Sequence, residues 1–132
     1  MAKQGIILSL VGLNPQFNYG KALETTKKQI IYYRTISGKC PFLEWYVRLD
    51  EVTQDILDAR IDRLTDGLRG DWKKLSNSKL SELRINYSRG YRIYYRELNN
   101  VIVLIVAGGD KSNQKRLIKQ ADKFLKDYEE RN

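Results

Sequence analysis

Arginine and tyrosine are interleaved over one short stretch of this chain. Arg84, Arg89, Arg92 and Arg96 alternate with Tyr87, Tyr91, Tyr94 and Tyr95 within residues 81–110. Guanidinium groups grip phosphate oxygens through paired N–H donors, and tyrosine rings offer faces on which bases stack. Cations and rings on a rigid sheet therefore suit an RNA strand. Strand alternation puts Arg84 and Arg92 on the polar face of neighbouring strands, brought close by a three-residue turn. Two guanidiniums on one face repel, so they call for an anion or for partnering carboxylates. Glu82, Glu97 and Asp110 are the carboxylates in reach, so a salt-bridged surface stands open beside the anion-binding one.

A second cationic element follows. Gly108-Gly109-Asp110-Lys111-Ser112 lies between an apolar strand and a helix. Backbone amides at a helix start attract phosphate, and Lys111 adds charge there. The spacing is not that of a P-loop, and a plain helix start capped by Ser112 is the simpler reading. Lys73 and Lys74 precede the sheet and extend its basic rim.

Other chemistries close quickly. The chain of 132 residues has no histidine and one cysteine, Cys40. That leaves no zinc ligand set, no imidazole to activate a thiol and no histidine proton shuttle. Any nuclease chemistry is expected to run without metal or cofactor. A lone cysteine cannot form an internal disulfide, which points to the cytoplasm. Asp55, Asp58, Asp62 and Asp66 recur at helical spacing and read as a solvated face, not a metal cluster. Trp45 and Trp72 read as packing residues, not base platforms.

The net charge is +8 and the isoelectric point near 9.6. Residues 41–70 carry four basic and seven acidic side chains, net −3; residues 71–119 carry eleven basic and four acidic, net +7. Charge segregated in this way prepares one face for a polyanion, and a nucleic acid is the expected partner.

The elements that must position these residues follow from periodicity. Residues 1–25 read as an extension, poorly structured, before one domain at 26–132. The apolar run at 5–13 is too short for a bilayer, which takes roughly 20 residues. Residues 28–36 are β-branched and aromatic, a strand. Pro41 suits the first turn of a short helix, and Asp50 the N-cap of a second over 51–66. Its buried stripe is predicted as Val52, Ile56, Leu57, Ile61 and Leu64, with Gly67 and Gly70 ending it.

Residues 73–75 read as a short strand. Residues 81–87 place Leu83, Ile85 and Tyr87 on a dry face against Glu82, Arg84 and Asn86 on a wet one. Ser88-Arg89-Gly90 is a hairpin turn, and 91–97 alternates Tyr91, Ile93 and Tyr95 against Arg92, Tyr94 and Arg96. After a turn at Asn99-Asn100, residues 101–107 are apolar on both faces, marking the central and most buried strand, which Gly108-Gly109 stops. A last helix runs to Tyr128, with Leu117, Ile118, Ala121, Phe124 and Leu125 inward. The fold class is α+β: a mainly antiparallel twisted sheet of four to five strands, a helical hairpin after the first strand and a C-terminal helix.

Six strings carry a family resemblance: G-K-C-P-F-L-E-W from Gly38, A-R-I-D-R-L from Ala59, G-D-W-K-K-L from Gly70, S-E-L-R-I from Ser81, G-Y-R-I-Y-Y from Gly90 and G-G-D-K-S-N-Q-K from Gly108. In this order they resemble the RelE/ParE superfamily of toxins, in its addiction-module killer protein (HigB-like) branch. The resemblance covers residues 30–128. It implies a RelE-like fold that docks on the ribosomal A site, cuts mRNA and is neutralised by a cognate antitoxin, in this branch a helix-turn-helix protein.

By that resemblance Arg92 matches a catalytic arginine, Arg84 falls close to a catalytic lysine and Lys111 lies near a further catalytic arginine. Lys73, Lys74, Arg89, Tyr94, Arg96 and Lys115 would hold ribosomal RNA and mRNA, with Lys111 or Tyr94 handling a proton. The chain departs from the pattern where RelE toxins carry a C-terminal tyrosine, since it reads Leu117-Ile118 there, and it lacks the histidines of the better-studied HigB enzymes. The expected activity is a ribosome-dependent mRNA endoribonuclease that inhibits translation, the toxin of a type II toxin–antitoxin pair. Two alternatives remain: a ParE-like inhibitor of DNA gyrase that cuts nothing, or a degenerate relative that only binds an antitoxin.

Overall fold

The computed structural model describes residues 27–132, so the extension assigned to residues 1–25 lies outside the described residues. The chain runs β1 (Gln29–Tyr32), α1 (Pro41–Tyr46), α2 (Glu51–Thr65), β2 (Trp72–Lys74), β3 (Ser81–Ile85), β4 (Tyr91–Leu98), β5 (Ile102–Asp110), a 3₁₀ turn (Lys111–Asn113) and α3 (Gln114–Arg131). The strands form one sheet in the order β1-β5-β4-β3-β2. β1 pairs parallel to β5, and the other three pairings are antiparallel. This is an α+β fold with a five-stranded mixed sheet, a helical hairpin after the first strand and a C-terminal helix. Among the described residues no helix is long and apolar enough to cross a membrane.

Local chemistry sets the turns. Asn99 and Asn100 both take left-handed backbone, φ 51° and 59°, and Val101 N–H donates to Leu98 C=O at 3.1 Å. Paired left-handed residues match the right-handed twist of the strands they join. Gly90, at φ 76°, plays the same part between β3 and β4. Asp50 caps α2 by accepting from Thr53 N–H at 3.1 Å and Thr53 Oγ1 at 2.6 Å. That draws Thr53 inward, and the buried stripe becomes Thr53, Leu57, Ile61 and Leu64. Val52, expected in the stripe, is 57% exposed.

The sheet is covered on both faces. On one, Leu83, Ile85, Ile93, Tyr95, Val103 and Ile105 pack against Phe42, Leu57, Ile61 and Leu64 from α1 and α2. On the other, Tyr94, Leu104, Val106 and Ala107 pack against Ala121 and Leu125 of α3. The face expected to be wet over β3 and β4 is therefore largely dry. An amphipathic α3 has an apolar stripe of its own to bury, and this face is where it goes.

β5 is the most buried strand, as expected, but β4 holds the middle of the sheet. The glycine pair does not end β5, which continues to Asp110. A bulge sets Tyr94 opposite Ala107 and Tyr95 opposite Ile105, which leaves Val106 and Ala107 on the same face. Beyond it Gly108 meets Trp45, and Gly109 meets Leu117. A Cβ on Gly108 would come within 2.4 Å of the Trp45 ring, and one on Gly109 within 2.2 Å of Leu117 Cδ1. The two glycines are contact points for helices on opposite faces. β1 is shorter than predicted, because Thr35 and Gly38 close a turn, with Gly38 N–H donating to Thr35 C=O at 2.8 Å.

Candidate functional site

Arg84 and Arg92 are direct partners across β3 and β4, and Glu82 faces Tyr94 two pairs along. All four side chains share the α3 face. Glu82 is fully buried, which contradicts its expected place on a wet surface. Its Oε1 accepts from Arg84 Nε at 2.9 Å; its Oε2 accepts from Tyr94 OH at 3.0 Å and Gln114 Nε2 at 2.6 Å. Arg92 Nε stands 3.9 Å from Glu82 Oε1. A buried carboxylate is tolerated only when paired and fully hydrogen-bonded, and Glu82 meets that condition. Burial pushes its pKa up, yet the bonds from Arg84, Gln114 and Tyr94 outweigh it and hold the carboxyl below its usual range.

Two guanidiniums against one carboxylate leave the cluster net positive. Glu82 takes Arg84 by Nε, and among the described residues the two terminal nitrogens of Arg84 make no hydrogen bond, on a side chain 33% exposed. Arg92 is more enclosed and donates from Nη1 to Tyr91 C=O at 3.0 Å. The carboxylate thus acts as a bracket that aims guanidinium edges. Chemically, the arrangement can bind an anion and stabilise negative charge that develops on it.

The other predicted residues divide. Lys111 is exposed, with its N–H donating to Gly90 C=O at 2.9 Å and its aliphatic stem against Gly90. It lies over the turn that starts β4, two residues before Arg92. Arg89 is 76% exposed on that turn, 4.0 Å from Asp110. Asp110 does not serve Arg84 or Arg92: it accepts from Ser112 N–H at 2.9 Å and caps the 3₁₀ turn. Ser112 is thus the donor at this cap, while Asn113 at the start of α3 makes no side-chain capping bond. Lys73 is exposed on β2 opposite Glu82, on the cluster's side of the edge strand. Lys74 points to the other face and donates to Ser78 C=O. Arg96 is ion-paired with Glu129 of α3, and Lys115 is exposed on the first turn of α3.

Tyr94 is where the structure departs most from expectation. Its side chain is fully buried and its hydroxyl is committed to Glu82. A ring with no open face cannot stack a base. Burial, with the Glu82 charge beside it, pushes its pKa far above the ordinary tyrosine value, which removes it as a proton shuttle. It is part of the scaffold that holds Glu82.

Residue-level reading missed Gln114 and Arg60. Gln114 opens α3 and ties that helix to Glu82. Arg60 of α2 donates to the carbonyls of Arg84 at 2.8 Å and Arg69 at 3.2 Å, and so pins the α2–β2 loop to the end of β3. Burial lowers its pKa. Its position on a helix flank resembles any solvated arginine, and no local signal marks it.

No known family model matches the chain. It is similar to an uncharacterized protein of Haemophilus influenzae, 48% identical over 65 residues. That match takes in 49% of this chain and 65% of the relative, so it spans somewhat under two thirds of the relative's length.

Proposed function

We propose that this chain is a RelE-like, HigB-branch toxin of a type II toxin–antitoxin pair, a ribosome-dependent mRNA endoribonuclease of the cytoplasm. The observation that carries the reading is the registered Arg84–Arg92 pair bracketed by buried Glu82, with Lys111 over the adjacent turn. In this reading the RNA 2′-OH attacks the adjacent phosphate. The 2′-OH gives up its proton to solvent as a P–O bond forms to that oxygen, the bond to the 5′-oxygen breaks, and the 5′-oxygen leaves after taking up a proton. Arg92 and Arg84 stabilise the charge on the phosphorane, an effect worth roughly 3–4 kcal/mol per well-placed donor. Lys111 is an exposed lysine packed over that turn and the candidate donor of the proton to the 5′-oxygen. Positioning of mRNA by the ribosome supplies much of the remainder. The partners are the ribosome, mRNA and a helix-turn-helix antitoxin.

The neutralising carboxylate favours a second reading. Glu82 already answers part of the charge of both arginines, as it would in a degenerate, antitoxin-binding relative. Cell-free translation with mRNA ends mapped by primer extension separates the two. Cuts inside codons that require ribosomes and vanish with Arg92→Ala support the endoribonuclease. Intact mRNA overturns it, and inhibited DNA supercoiling would then favour a gyrase-binding toxin.

A further inference from the structure

A groove at the β2 edge of the sheet combines charge with an aromatic ring. It holds about 380 Å³ and is lined by Arg69, Trp72, Lys74, Lys79, Arg96 and Glu97. That volume sits near the lower end of small-ligand sites, roughly 300–1,000 Å³, and suits one unit of a polymer. Trp72 remains 38% accessible, on an edge strand where every residue is exposed. The Arg69 guanidinium lies over its ring, 4.8 Å from the centroid. Arg69 is itself fixed by a two-point bond to Glu97, Nε–Oε2 3.1 Å and Nη2–Oε1 2.9 Å.

Four cations line this groove against one carboxylate, and Glu129 behind it is shared by Lys79 and Arg96. The surplus is positive after both acids are counted. A tryptophan with a guanidinium over its ring, within a cationic rim, has the attributes of a stacking platform beside a phosphate track. Packing does not account for an indole left this open, although a packing role was expected for it.

We infer that this groove binds one nucleotide of a single-stranded RNA. The base stacks on Trp72, and Lys74 and Lys79 hold the flanking phosphates. The site is separate from the Arg84–Arg92 cluster: Trp72 pairs with Leu83 on the α2 side, while Glu82 and Arg84 face α3. It does not rest on the cleavage reading, because binding a strand requires no bond to break.

Titration of the purified chain with a short single-stranded oligoadenylate, followed by tryptophan fluorescence and anisotropy, tests the site. Quenching is expected in the parent and in Arg63→Ala, a change at an exposed position of α2, alike. Trp72→Leu should weaken binding roughly 5- to 150-fold, the range of base–aromatic stacking. Trp72→Phe should recover part of it. Lys74→Ala and Lys79→Ala should each lower the slope of log K against log salt by about 0.7. Undiminished binding by Trp72→Leu, or equal binding of the same sequence as a duplex, would overturn the inference. Loss of cleavage in translation extracts with quenching intact would count against the proposed reaction and leave this site standing.

Discussion

Arg92 Nε is buried 3.9 Å from Glu82 Oε1 and has no hydrogen-bond partner among the described residues. Its neighbour Arg84, one strand over, takes the same oxygen at 2.9 Å. A buried N–H left unbonded costs about 1–3 kcal/mol. Arg92 is therefore kept at some expense to stability, in a place where apolar packing would be cheaper. Residues held against their own stability cluster at functional sites.

Glu82 sets an acid limit. Its folded pKa is depressed, so its contribution is complete above the unfolded carboxylate value of about 4.3 and is lost as pH falls through the folded value below that. Glu82→Gln removes this contribution. The parent's urea midpoint should fall between pH 7 and pH 3, and the gap between parent and variant should narrow over the same interval. A gap that is constant with pH would show that the carboxylate's charge is not what holds the cluster.

Gly108 and Gly109 should resist even one added methyl. Neither contact partner is the free end of a surface chain: the Trp45 ring and Leu117 are both packed against the sheet. Overpacking of this kind costs about 1–3 kcal/mol. Gly108→Ala should loosen α1 and change Trp45 emission. Gly109→Ala should loosen α3 and leave Trp45 emission unchanged. Equilibrium unfolding with fluorescence distinguishes the two.

Arg60→Ala removes the donors that hold the α2–β2 loop, leaving the Arg84 and Arg69 carbonyls to find water. A loss of about 1–3 kcal/mol is expected. Because that loop leads into Trp72, the variant should also shift Trp72 emission, whereas Arg63→Ala on the exposed side of the same helix should do neither. Paired unfolding and emission spectra of the two variants check this.

The turns and the first face were readable in sequence because their signals are local. Asn99-Asn100, Gly90 and Asp50 act through their own backbone or a neighbour three residues away. Strand alternation likewise placed Leu83, Ile93 and Tyr95 correctly. Alternation alone could not say that the opposite face is covered too. That depended on where α3 docks, and the docking turned Glu82 and Tyr94 from surface residues into a buried pair. The bulge at Tyr94 and Tyr95 shifts the phase of β5 by one, so Gly108-Gly109 reads as a strand end when it is a pair of helix contacts.

Arg92→Lys is the sharpest test of the cluster. Lysine keeps the positive charge near Glu82 but lacks the planar fork and has no Nε–H to leave unbonded. If Arg92 serves only to balance Glu82, stability and activity should both survive. If it is kept to stabilise charge on an RNA phosphate, stability should hold or rise slightly while cleavage in translation extracts falls about 10²- to 10³-fold. Arg84→Lys should be milder, because Arg84 meets Glu82 through one nitrogen and is 33% exposed. Thermal unfolding and mapped mRNA ends, measured on the same preparations, give both halves of the comparison. An equal loss of stability and cleavage in Arg92→Lys would reduce Arg92 to a structural residue.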